Sequence, residues 1–499
     1  MSKKIEPETL AILVKIDRFL QEKQVTAYLV GGFVRDLLLG RRTADIDIAV
    51  GEEAFKIGPE MAAFLGGKFV ALDAENRIAR VVLFKSEGSS LREQWDIDLS
   101  TLAGDIKADL GRRDFTIDAM AIDVKALIKS SSFRIIDPFK GRSDLRRKMI
   151  RAVGESVFED DPVRLLRAVR LAAELGFSVA TETEKIVRRK VSLVQRVAGE
   201  RIREELLHLL SSPEAGHFIS YLDNLGLLTT IIPELEPARG FEQPKEHHWD
   251  VLNHSLETVR AVGFLLRQSP WEYAPANILD EVPWSEELRQ HFGTEVSAGS
   301  THASLLKLAA LLHDISKPAT RIIADSRMRF FGHNEQGAEV VTAVLERLRF
   351  SNKEIKLIEL MVRYHMRPTQ MSHEGTPSNR AIYRYFRDTG LASIDILFLS
   401  LADHLAARGP ELEPDQWRWH TGQVNFLLEG FFRKKRVISP PKLLDGHDLI
   451  SLFGLKPGPE IGELLDFLKE AQSTGEVTTR DEALYYVKNR LLYREQNLS

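Results

Sequence analysis

Short apolar runs alternate with amphipathic helical stretches along the first 145 residues. The runs have the length and the β-branched and aromatic content of strands. They read AYLV, IDIAV, KFVALD, IARVVLF, WDIDLS and FRIID. Ahead of them, MSKKIEPETLAILVKIDRFLQ has the periodicity of an amphipathic helix. This pattern predicts a small α/β domain.

The pattern becomes helical beyond residue 145. Residues 146–240 are rich in arginine, and residues 241–410 contain long helical stretches with scattered histidines. A polar stretch at 268–300 interrupts these, and we interpret it as a loop or an insertion. The last part is helical again, with a Pro/Gly turn in LFGLKPGPEIGELL. The sequence therefore predicts four domains, at 1–145, 146–240, 241–410 and 411–499.

Composition narrows the class of protein. The chain has 499 residues, 43% hydrophobic and 28% charged, which is usual for a soluble protein of several domains. Because no apolar run reaches the roughly 18 residues of a membrane span and the N-terminal stretch lacks a signal-peptide core, we expect a cytoplasmic protein without a membrane partner. There is no cysteine, so a metal would need His, Asp or Glu ligands. The net charge of −4 does not by itself indicate nucleic-acid binding, which depends on local patches.

The stretch YLVGGFVRDLLLGRRTADIDIAV, residues 28–50, carries the first candidate chemistry. A strand leads into Gly31 and Gly32, where glycine allows a sharp turn and leaves backbone N–H groups open. The segment FVRDLLLG then begins a helix, whose N-terminus favours an anion. Arg35 lies in its first turn, within reach of a triphosphate.

The following strand, ADIDIAV, places Asp45 and Asp47 on one face. Two such carboxylates can share divalent cations about 3.5–4 Å apart, as in-line phosphoryl or nucleotidyl displacement requires. A lone Asp-x-Asp is usually a pair of solvated acids. The glycine turn, Arg35 and the spacing together favour a functional site.

With these residues, the sequence resembles the class II tRNA nucleotidyltransferases (CCA-adding enzymes) and the bacterial poly(A) polymerases. LVGGFVRDLLLG…DIDI is similar to their nucleotidyltransferase motif. Four further segments resemble the later motifs of the family in the same order: DLGRRDFTIDAMA (109–121), DPFKGRSDL (137–145), EDDPVRLLRAVRLAAELGF (159–177) and GERIREEL (199–206). The resemblance covers roughly the first 235 residues. It implies an α/β head like that of DNA polymerase beta, with a small mixed sheet, followed by mostly α-helical domains.

The resemblance also implies roles for the matching residues. Asp45 and Asp47 would be catalytic and hold two Mg²⁺ ions, one for the RNA 3′-hydroxyl and one for the triphosphate and the leaving pyrophosphate. The phosphates and ribose of the nucleotide would lie against Gly31, Gly32, Arg35 and Arg113.

Asp161 and Arg164 would read the base, according to the same resemblance. The residues support this independently, because at i and i+3 on a helix an acceptor and a donor share a face. Together they match the Watson–Crick edges of cytosine and adenine, which present an amino donor beside a ring-nitrogen acceptor. Arg167 and Arg170 continue this face and would reach phosphates. Without the resemblance, an arginine-rich helix more often has a solvated face.

Some positions depart from the family pattern. Asp118 stands where the family often has Asn, which affects a local hydrogen bond, and Asp160 stands where Glu is common. Between the acidic strand and Arg112 we find no Thr-Phe-Arg-like stretch, which enzymes that build the whole CCA end often carry on a flexible arm. A-adding and poly(A) activities therefore stay open. Asp96 and Asp98 repeat the Asp-x-Asp spacing. Either one of them is a third carboxylate near the metal ions, or both lie on a solvated face of a strand.

Histidines and aspartates form a second constellation. Its members are His254, His313, Asp314, His333, His365 and Asp403. Imidazoles and carboxylates together suit a mid-series divalent metal. Their order, with HDISKP at the centre, resembles the HD phosphohydrolase superfamily.

That second resemblance implies a ligand set. One transition metal, such as Mn²⁺, Ni²⁺ or Co²⁺, would be bound by His254, His313, Asp314 and Asp403. His333 and His365 would hold a second ion or touch phosphate, and Lys317 would contact phosphate. Hydrolytic activity and a purely structural role both stay open.

RNA contacts are expected from basic segments near the polymerising site. The helical middle contributes Lys185, Arg188, Arg189, Lys190, Arg196, Arg201 and Arg203. FFRKKRV (431–437) adds four consecutive cations, and LKPGPEIG (455–462) offers helix N-terminal amides or a plain helix connection.

Two classes of function follow. The first is a tRNA nucleotidyltransferase that adds AMP from ATP, with CMP from CTP left open, to form the CCA end of tRNA and release pyrophosphate. Poly(A) synthesis is the alternative within this class. The second is an HD metal-dependent phosphohydrolase with the first domain as an RNA-binding module. The intact pairs at Asp45/Asp47 and Asp161/Arg164 favour the first class, and the sequence leaves the oligomeric state open.

Overall fold

The computed structural model describes residues 5–73, 78–84, 94–129, 133–325, 327–373, 377–433 and 442–498. The chain divides into two compact units. The first unit comprises Met1–Val197 with Asn224–Thr230, and the second comprises Ala198–Asp223 with Ile231–Ser499.

A seven-stranded mixed sheet forms the centre of the first unit. Its strands are β1 (Ala27–Val30), β2 (Asp45–Val50), β3 (Lys68–Asp73), β4 (Ile78–Phe84), β5 (Gln94–Thr101), β6 (Ala121–Asp123) and β7 (Ile135–Ile136). Their order across the sheet is β3-β4-β5-β2-β1-β6-β7. Strands β2 and β5 pair in parallel, and the other neighbours are antiparallel. The predicted α/β head with a small mixed sheet is confirmed.

Helices and a small parallel strand pair complete this unit. The helices are α1 (Pro7–Glu22), α2 (Gly31–Leu39), α3 (Ala54–Leu65), α4 (Ile106–Gly111), α5 (Val124–Lys129), α6 (Gly141–Arg147), α7 (Val157–Asp160), α8 (Arg164–Leu175) and α9 (Thr181–Lys190). The small pair is β8 (Met149–Ile150) with β9 (Ser178–Val179). The predicted strand FRIID is shorter than expected, because only Ile135–Ile136 pairs with β6.

Helix α1 shows why the periodicity of the N-terminal stretch was informative. Its buried apolar side chains include Leu13, Ile16, Phe19 and Leu20, three to four residues apart. This spacing places them on one helical stripe against the rest of the unit. Pro7 occupies the first turn, where the missing N–H costs nothing.

The second unit is almost entirely helical. Its helices are α10 (Gly199–Ser211), α11 (Ala215–Asn224), α13 (Val251–Leu265), α14 (Glu286–Gly293), α15 (His302–Leu312), α16 (His333–Arg347), α17 (Asn352–Tyr364), α18 (Arg367–His373), α19 (Asn379–Thr389), α20 (Ser393–Arg408), α21 (Pro414–Arg433), α22 (Gly446–Phe453), α23 (Pro459–Thr474) and α24 (Arg480–Leu498). The intervening helix α12 (Leu227–Ile231) belongs to the first unit except for Ile231. Two hairpins accompany them, β10 (Glu295–Ser297) with β11 (Ser300–Thr301) and β12 (Arg321–Ala324) with β13 (Arg327–Phe330).

The core of the second unit lies around α13, α15 and α20, whose side chains are buried along most of their lengths. The helical stretch Asn379–Glu411, which includes α20, is long and apolar enough to cross a membrane by length and composition alone. However, 72% of its most apolar window is buried inside the protein, as expected for a core helix.

The polar stretch 268–300 has regular structure that the sequence analysis did not predict. It contains a 3₁₀ turn at Ala276–Glu281, helix α14 and the strand β10. Ser285 caps α14 by accepting a hydrogen bond from the N–H of Leu288, and Leu288 and Phe292 are its buried anchors. Two apolar anchors in eight residues are too few for a visible period, so the interpretation as a loop was wrong.

The C-terminal helices have an apolar cluster of their own. Buried leucine, valine and alanine side chains from α22, α23 and α24 meet there, among them Leu449, Leu464, Leu468 and Val487. The helical C-terminal part is therefore confirmed.

Candidate functional site

Two rows of carboxylates lie side by side on the sheet of the first unit. The parallel register of β2 and β5 sets Asp45 beside Asp96 and Asp47 beside Asp98. Arg80 on β4 binds the second row. Its Nε and Nη2 donate to Asp98 over 2.7 and 2.8 Å, and its Nη1 donates to Asp96 over 3.2 Å. Arg80 thus pairs with both carboxylates of the second row.

Asp45 and Asp47, the first row, are held in an acidic environment. Burial raises the pKa of both carboxyls, and the charge of Asp96 raises the pKa of Asp45 further. Arg113 and the backbone N–H of Phe33 partly oppose this rise at Asp47. A divalent cation would stabilise both groups as anions, and carboxylate oxygens are the ligands that Mg²⁺ prefers. The donor set therefore fits magnesium.

The turn between β1 and α2 explains the glycines. Helix α2 begins at Gly31, two residues before the predicted start, and Gly31 has a φ of +63°. A Cβ atom here would lie 2.9 Å from Asp47 Oδ2 and 3.0 Å from Arg113 Nη1. At Gly32 the nearest atom would be Arg35 Nη2, at 3.3 Å. Gly31 is thus required for the close approach of Asp47 and Arg113 to the backbone.

Two carboxylates hold Arg35. Its Nε and Nη2 each donate to Asp36 over 3.0 Å, and its Nη1 donates to Asp118 over 2.8 Å. Burial would lower the pKa of the guanidinium, but Asp118 and Asp36 raise it above the usual value. A triphosphate that binds Arg35 must therefore share it with these acids.

Asp118 stands where the family often has Asn, and the sequence analysis expected this difference to affect a local hydrogen bond. In the structure Asp118 Oδ1 accepts a hydrogen bond from Arg35 Nη1. Burial raises the pKa of Asp118 to about 6, and Asp114 and Asp47 add to the rise, whereas Arg35 opposes it. This carboxyl therefore titrates close to neutrality, which an asparagine would not do.

Asp161 and Arg164 do not share one helix, which corrects the sequence interpretation. Asp161 follows α7 with an extended backbone, and Arg164 is the first residue of α8. A hydrogen bond from Arg164 N to Asp161 O, of 3.1 Å, nevertheless keeps the turn tight. Arg164 Nε lies 3.9 Å from Asp161 Oδ2, and its Nη1 donates to the carbonyls of Arg112 and Val157. The two side chains are close together, and backbone carbonyls orient the arginine.

The other arginines of α8 have acidic neighbours. Arg167 Nη1 donates to Asp114 Oδ2 over 3.3 Å, and Arg170 Nε lies 3.8 Å from Glu174. Burial opposes ionisation of Asp114, but Arg167 and Arg164 lower its pKa. The contact with phosphates that the sequence suggested for Arg167 and Arg170 would have to compete with these pairs.

The basic segments expected to contact RNA are also largely paired. Acidic side chains or carbonyls neighbour Lys185, Arg188, Arg189, Lys190 and Arg203. Within FFRKKRV, residues 434–437 lie outside the described residues. In LKPGPEIG, α23 begins at Pro459 after Gly458.

The second site lies in the core of the second unit, where the predicted histidines and aspartates converge. His254 Nε2 lies 3.0 Å from Asp403 Oδ1, and His313 Nε2 lies 3.2 Å from Asp314 Oδ2. The Nε2 atoms of His254 and His313 are 3.3 Å apart. Both histidines and Asp314 are completely or almost completely buried.

The remaining histidines of the constellation join the other side of Asp314. His333 Nε2 and His365 Nε2 lie 3.5 and 3.7 Å from Asp314 Oδ1 and 3.4 Å from each other. Lys317 Nζ approaches Asp314 Oδ2 to 2.6 Å. One carboxylate thus faces two groups of imidazoles.

Backbone carbonyls fix the tautomers of three of these histidines. The Nδ1 atoms of His313, His333 and His365 contact the carbonyls of Ala310, Phe330 and Val362 over 2.9, 2.7 and 2.7 Å. A carbonyl only accepts, so each Nδ1 carries a proton and each neutral ring turns the lone pair of Nε2 into the cluster. Lone pairs and carboxylates that point at one another need a cation, and this donor set fits a transition metal.

A proton on one ring is the alternative to a bound cation as the source of positive charge in the cluster. Burial opposes the charged imidazolium, but Asp314 and Asp403 raise the pKa of His313 to about 10. Burial, helped by His313, lowers the pKa of His365 to about 3. Of these two rings, a proton on His313 would satisfy the carboxylates when no metal is bound.

A cavity of about 490 Å³ opens beside the cluster. Besides Asp314, Asp403 and Lys317, its lining includes side chains that the sequence analysis did not select, namely His247, Arg329, Asn334, His404 and Arg408. These residues lie outside the central motif, and helix packing brings them together with the β12–β13 hairpin and the segment before α13. In the sequence, the adjacent histidines at 247–248 and the Asp-His pair at 403–404 were the features that indicated these lining residues.

Family models match the chain from the head to the C-terminal part. Residues 27–151 match the poly A polymerase head domain, and residues 176–239 match the probable RNA and SrmB-binding site of polymerase A. Residues 251–408 match the HD domain, and residues 436–487 match the putative domain 2 of tRNA nucleotidyltransferase.

Named relatives match over almost the whole length. The A-adding tRNA nucleotidyltransferase of Deinococcus radiodurans is 34% identical, over 93% of this chain and 95% of its own. The CC-adding tRNA nucleotidyltransferase of Thermus thermophilus is 33% identical, over 92% of each chain. The chain belongs to the tRNA nucleotidyltransferase family. It is therefore a nucleotidyltransferase with an HD domain, as its motifs predicted.

Solved structures of this family share the fold. A CCA-adding enzyme in complex with ATP has a TM-score of 0.63 and 24% identity, over 98% of this chain and 95% of its own. The CCA-adding enzyme of Thermotoga maritima complexed with tRNA has a TM-score of 0.61, over 98% of this chain and 97% of its own. The architecture of a tRNA nucleotidyltransferase thus extends along the whole chain.

The glycine turn gives a matched pair of variants. We expect Gly31→Ala to lower kcat/KM for nucleotide addition at least about tenfold, because an L-residue at positive φ costs roughly 1–2 kcal/mol and Asp47 must also move. In Gly32→Ala the Cβ would lie 3.3 Å from the flexible end of Arg35 and 3.6 Å from Asp47 Oδ2, an ordinary contact distance, so the rate should change much less. Steady-state kinetics with both variants checks this, and equal losses would contradict the assigned role of Gly31.

A second prediction concerns Asp118. In Asp118→Asn the amide oxygen still accepts from Arg35, but one negative charge is removed, so the KM for the nucleoside triphosphate should fall about fivefold, equivalent to ~1 kcal/mol. The ratio between variant and wild type should approach one below pH 6, where the wild-type carboxyl becomes protonated. A constant ratio from pH 5 to pH 8 would show that this charge does not act on the nucleotide.

Proposed function

We propose that this enzyme transfers AMP from ATP to the 3′ end of tRNA, completing the CCA terminus with release of pyrophosphate. The observation that carries the proposal is the position of Asp47 beside Gly31 and Arg113, with Asp45 two residues away on the same strand. The near full-length similarity to an A-adding enzyme supports AMP as the transferred group. CMP addition is the second candidate, because a CC-adding enzyme is almost equally similar.

In this proposal Asp45 and Asp47 are the catalytic carboxylates and hold Mg²⁺. Magnesium supplies Lewis-acid activation of the RNA 3′-hydroxyl and stabilises charge on the leaving pyrophosphate. Arg113, next to Gly31, and the N-terminal end of α2 orient the triphosphate. Arg35 contributes a second cationic side chain once the nucleotide draws it from Asp118.

Asp161 and Arg164 are proposed to select the base. The acceptor and the donor lie close together, and two backbone carbonyls hold the arginine in place. Such a pair complements adenine and cytosine and leaves uracil or guanine with unpaired groups, which costs binding energy in a buried site. The tRNA substrate also supports the expected cytoplasmic location.

The decisive experiment supplies three tRNA acceptors, ending before the CCA, after the first C and after CC. Each receives ATP, CTP or both, and product lengths are read on a gel. We expect a single A on the CC-ended acceptor with ATP alone. Extension of the shortest acceptor by CTP establishes CMP addition, and long adenosine tracts on any RNA would establish poly(A) synthesis instead.

Variants tie this activity to the two carboxylates. Asp45→Asn and Asp47→Asn should each lower incorporation by at least about 10³-fold while tRNA binding survives, because they act through the metal on chemistry. Asp96→Asn is the matched control, one strand away and already paired with Arg80, and should stay within a few-fold of wild type. In the same assay Asp161→Ala should admit UTP and GTP. Near wild-type incorporation by either metal-ligand variant would contradict the metal assignment.

A metal-dependent phosphohydrolase in the second unit is a further candidate, favoured by the Nε2 lone pairs that converge on Asp314 and Asp403. His254, His313, Asp314 and Asp403 would hold one ion, such as Mn²⁺, Ni²⁺ or Co²⁺, and His333 and His365 would share Asp314 with a second. Lys317, Arg329 and Arg408 line the adjacent cavity and suit a phosphate.

The variant His313→Ala/Asp314→Ala separates the two activities. It should spare ATP incorporation, lower the bound metal and abolish any metal-stimulated cleavage of phosphomonoesters or 2′,3′-cyclic phosphates. His208→Ala, an exposed histidine, serves as the control. A folded variant that loses nucleotide addition but retains hydrolysis would contradict the assignment of the two activities to separate sites. Wild-type protein that shows neither bound metal nor hydrolysis would leave the cluster with a structural role.

A further inference from the structure

A third group of histidines and a carboxylate lies outside both sites. His291 near the end of α14, His302 at the start of α15 and Asp395 in the first turn of α20 converge. His291 Nε2 lies 3.1 Å from Asp395 Oδ2. His302 Nδ1 lies 3.0 and 3.1 Å from the two oxygens of Asp395. The three potential ligand atoms all lie within 4.8 Å of one another.

The local backbone holds both histidines in place. A capping box between Thr301 and Ser304 fixes the start of α15, where His302 is the first helical residue. The N–H of His302 donates to the carbonyl of Thr294 over 3.1 Å, and the N–H of Thr294 donates to the carbonyl of His291 over 3.0 Å. Backbone hydrogen bonds therefore hold the segment between His291 and His302 in a turn that does not depend on a bound ligand.

The buried carboxylate of Asp395 would be costly in free energy if nothing balanced its negative charge. Asp395 is completely buried, whereas His291 and His302 are 18% and 14% exposed. A buried carboxylate must be paired, and either imidazole N–H groups or a cation can do this. The two imidazole rings lie only 4.1 Å apart between centroids. Two protonated rings at this distance would repel each other, so at most one ring is charged and a bound cation can take the place of that proton.

We propose that His291, His302 and Asp395 form a binding site for a divalent transition metal of the zinc class. Two imidazole nitrogens and one carboxylate oxygen are a common three-ligand set for such ions. The partial exposure of both rings leaves a path to solvent and a fourth position for water. No part of this site is shared with the cluster around Asp314.

The site would stabilise the polar stretch 268–300 on the second unit. His291 belongs to that stretch, His302 begins a core helix just beyond it, and Asp395 lies almost a hundred residues further along the chain. Few apolar side chains anchor α14, with Leu288 and Phe292 as its buried residues. A metal that joins these elements would compensate for this small core, because binding free energy of a folded-state ligand adds to stability.

The test uses the full chain in the His313→Ala/Asp314→Ala background, which removes competing ligands. Co²⁺ is added after chelator treatment, and its visible absorption reports an ion with low coordination number. We expect one bound ion, and His291→Gln should weaken its binding at least about 100-fold, because even partners outside the first coordination sphere cost roughly 10–100-fold. Glutamine can still donate to Asp395 but is a poor metal ligand.

Controls distinguish a metal site from a hydrogen-bonded His–Asp–His network. His447→Gln, an exposed histidine, should leave the titration unchanged. Zn²⁺ should raise the Tm of the background protein but not that of the His291→Gln protein. Unchanged Co²⁺ binding in His291→Gln, or no Co²⁺ binding in the folded background protein, would overturn the proposal. If the background protein does not fold, His291→Gln alone must lower the zinc content of the otherwise unaltered chain by one ion per molecule, and an unchanged content overturns it.

Discussion

Repulsion between carboxylates is the constraint around which the first unit is built. The parallel pairing of β2 with β5 brings two Asp-x-Asp segments side by side, which would destabilise the sheet if all four acids were ionised and unpaired. The fold resolves this unevenly. Arg80 pairs with the β5 row from the next strand, whereas burial raises the pKa of both carboxyls in the β2 row.

The second unit applies the same principle with different ligands. Asp314 is buried and surrounded by imidazoles, and Asp395 is buried against two more. Burial alone would protonate such carboxyls, but the neighbouring histidines lower the pKa of each. Acidic groups are thus kept ionised inside a helical core, which is the condition for holding metal ions there.

Local motifs explain how much could be predicted. Asp45, Asp47 and the glycine turn fall within twenty residues, and His313 is adjacent to Asp314, so their spacing indicates chemistry directly. The strands of the head were readable for the same reason, since alternation is a local signal.

The unpredicted parts depend on tertiary structure. The pairing of Arg80 with Asp98 follows from strand register, and the bond between Arg35 and Asp118 joins residues far apart in sequence. Helix α14 was missed because its few apolar contacts are made with distant elements and leave no period in the sequence.

The histidines of the second unit have a consequence for how such sites arise and are lost. His313 and His365 directly follow the last residues of α15 and α17, and each ring binds a carbonyl of the final turn. The end of each helix and the orientation of its imidazole are therefore fixed together. A substitution that displaced either helix end would turn the imidazole away from its partners even though every residue of the cluster remained in the sequence. A comparison that checks residue identity alone would miss the loss of this arrangement.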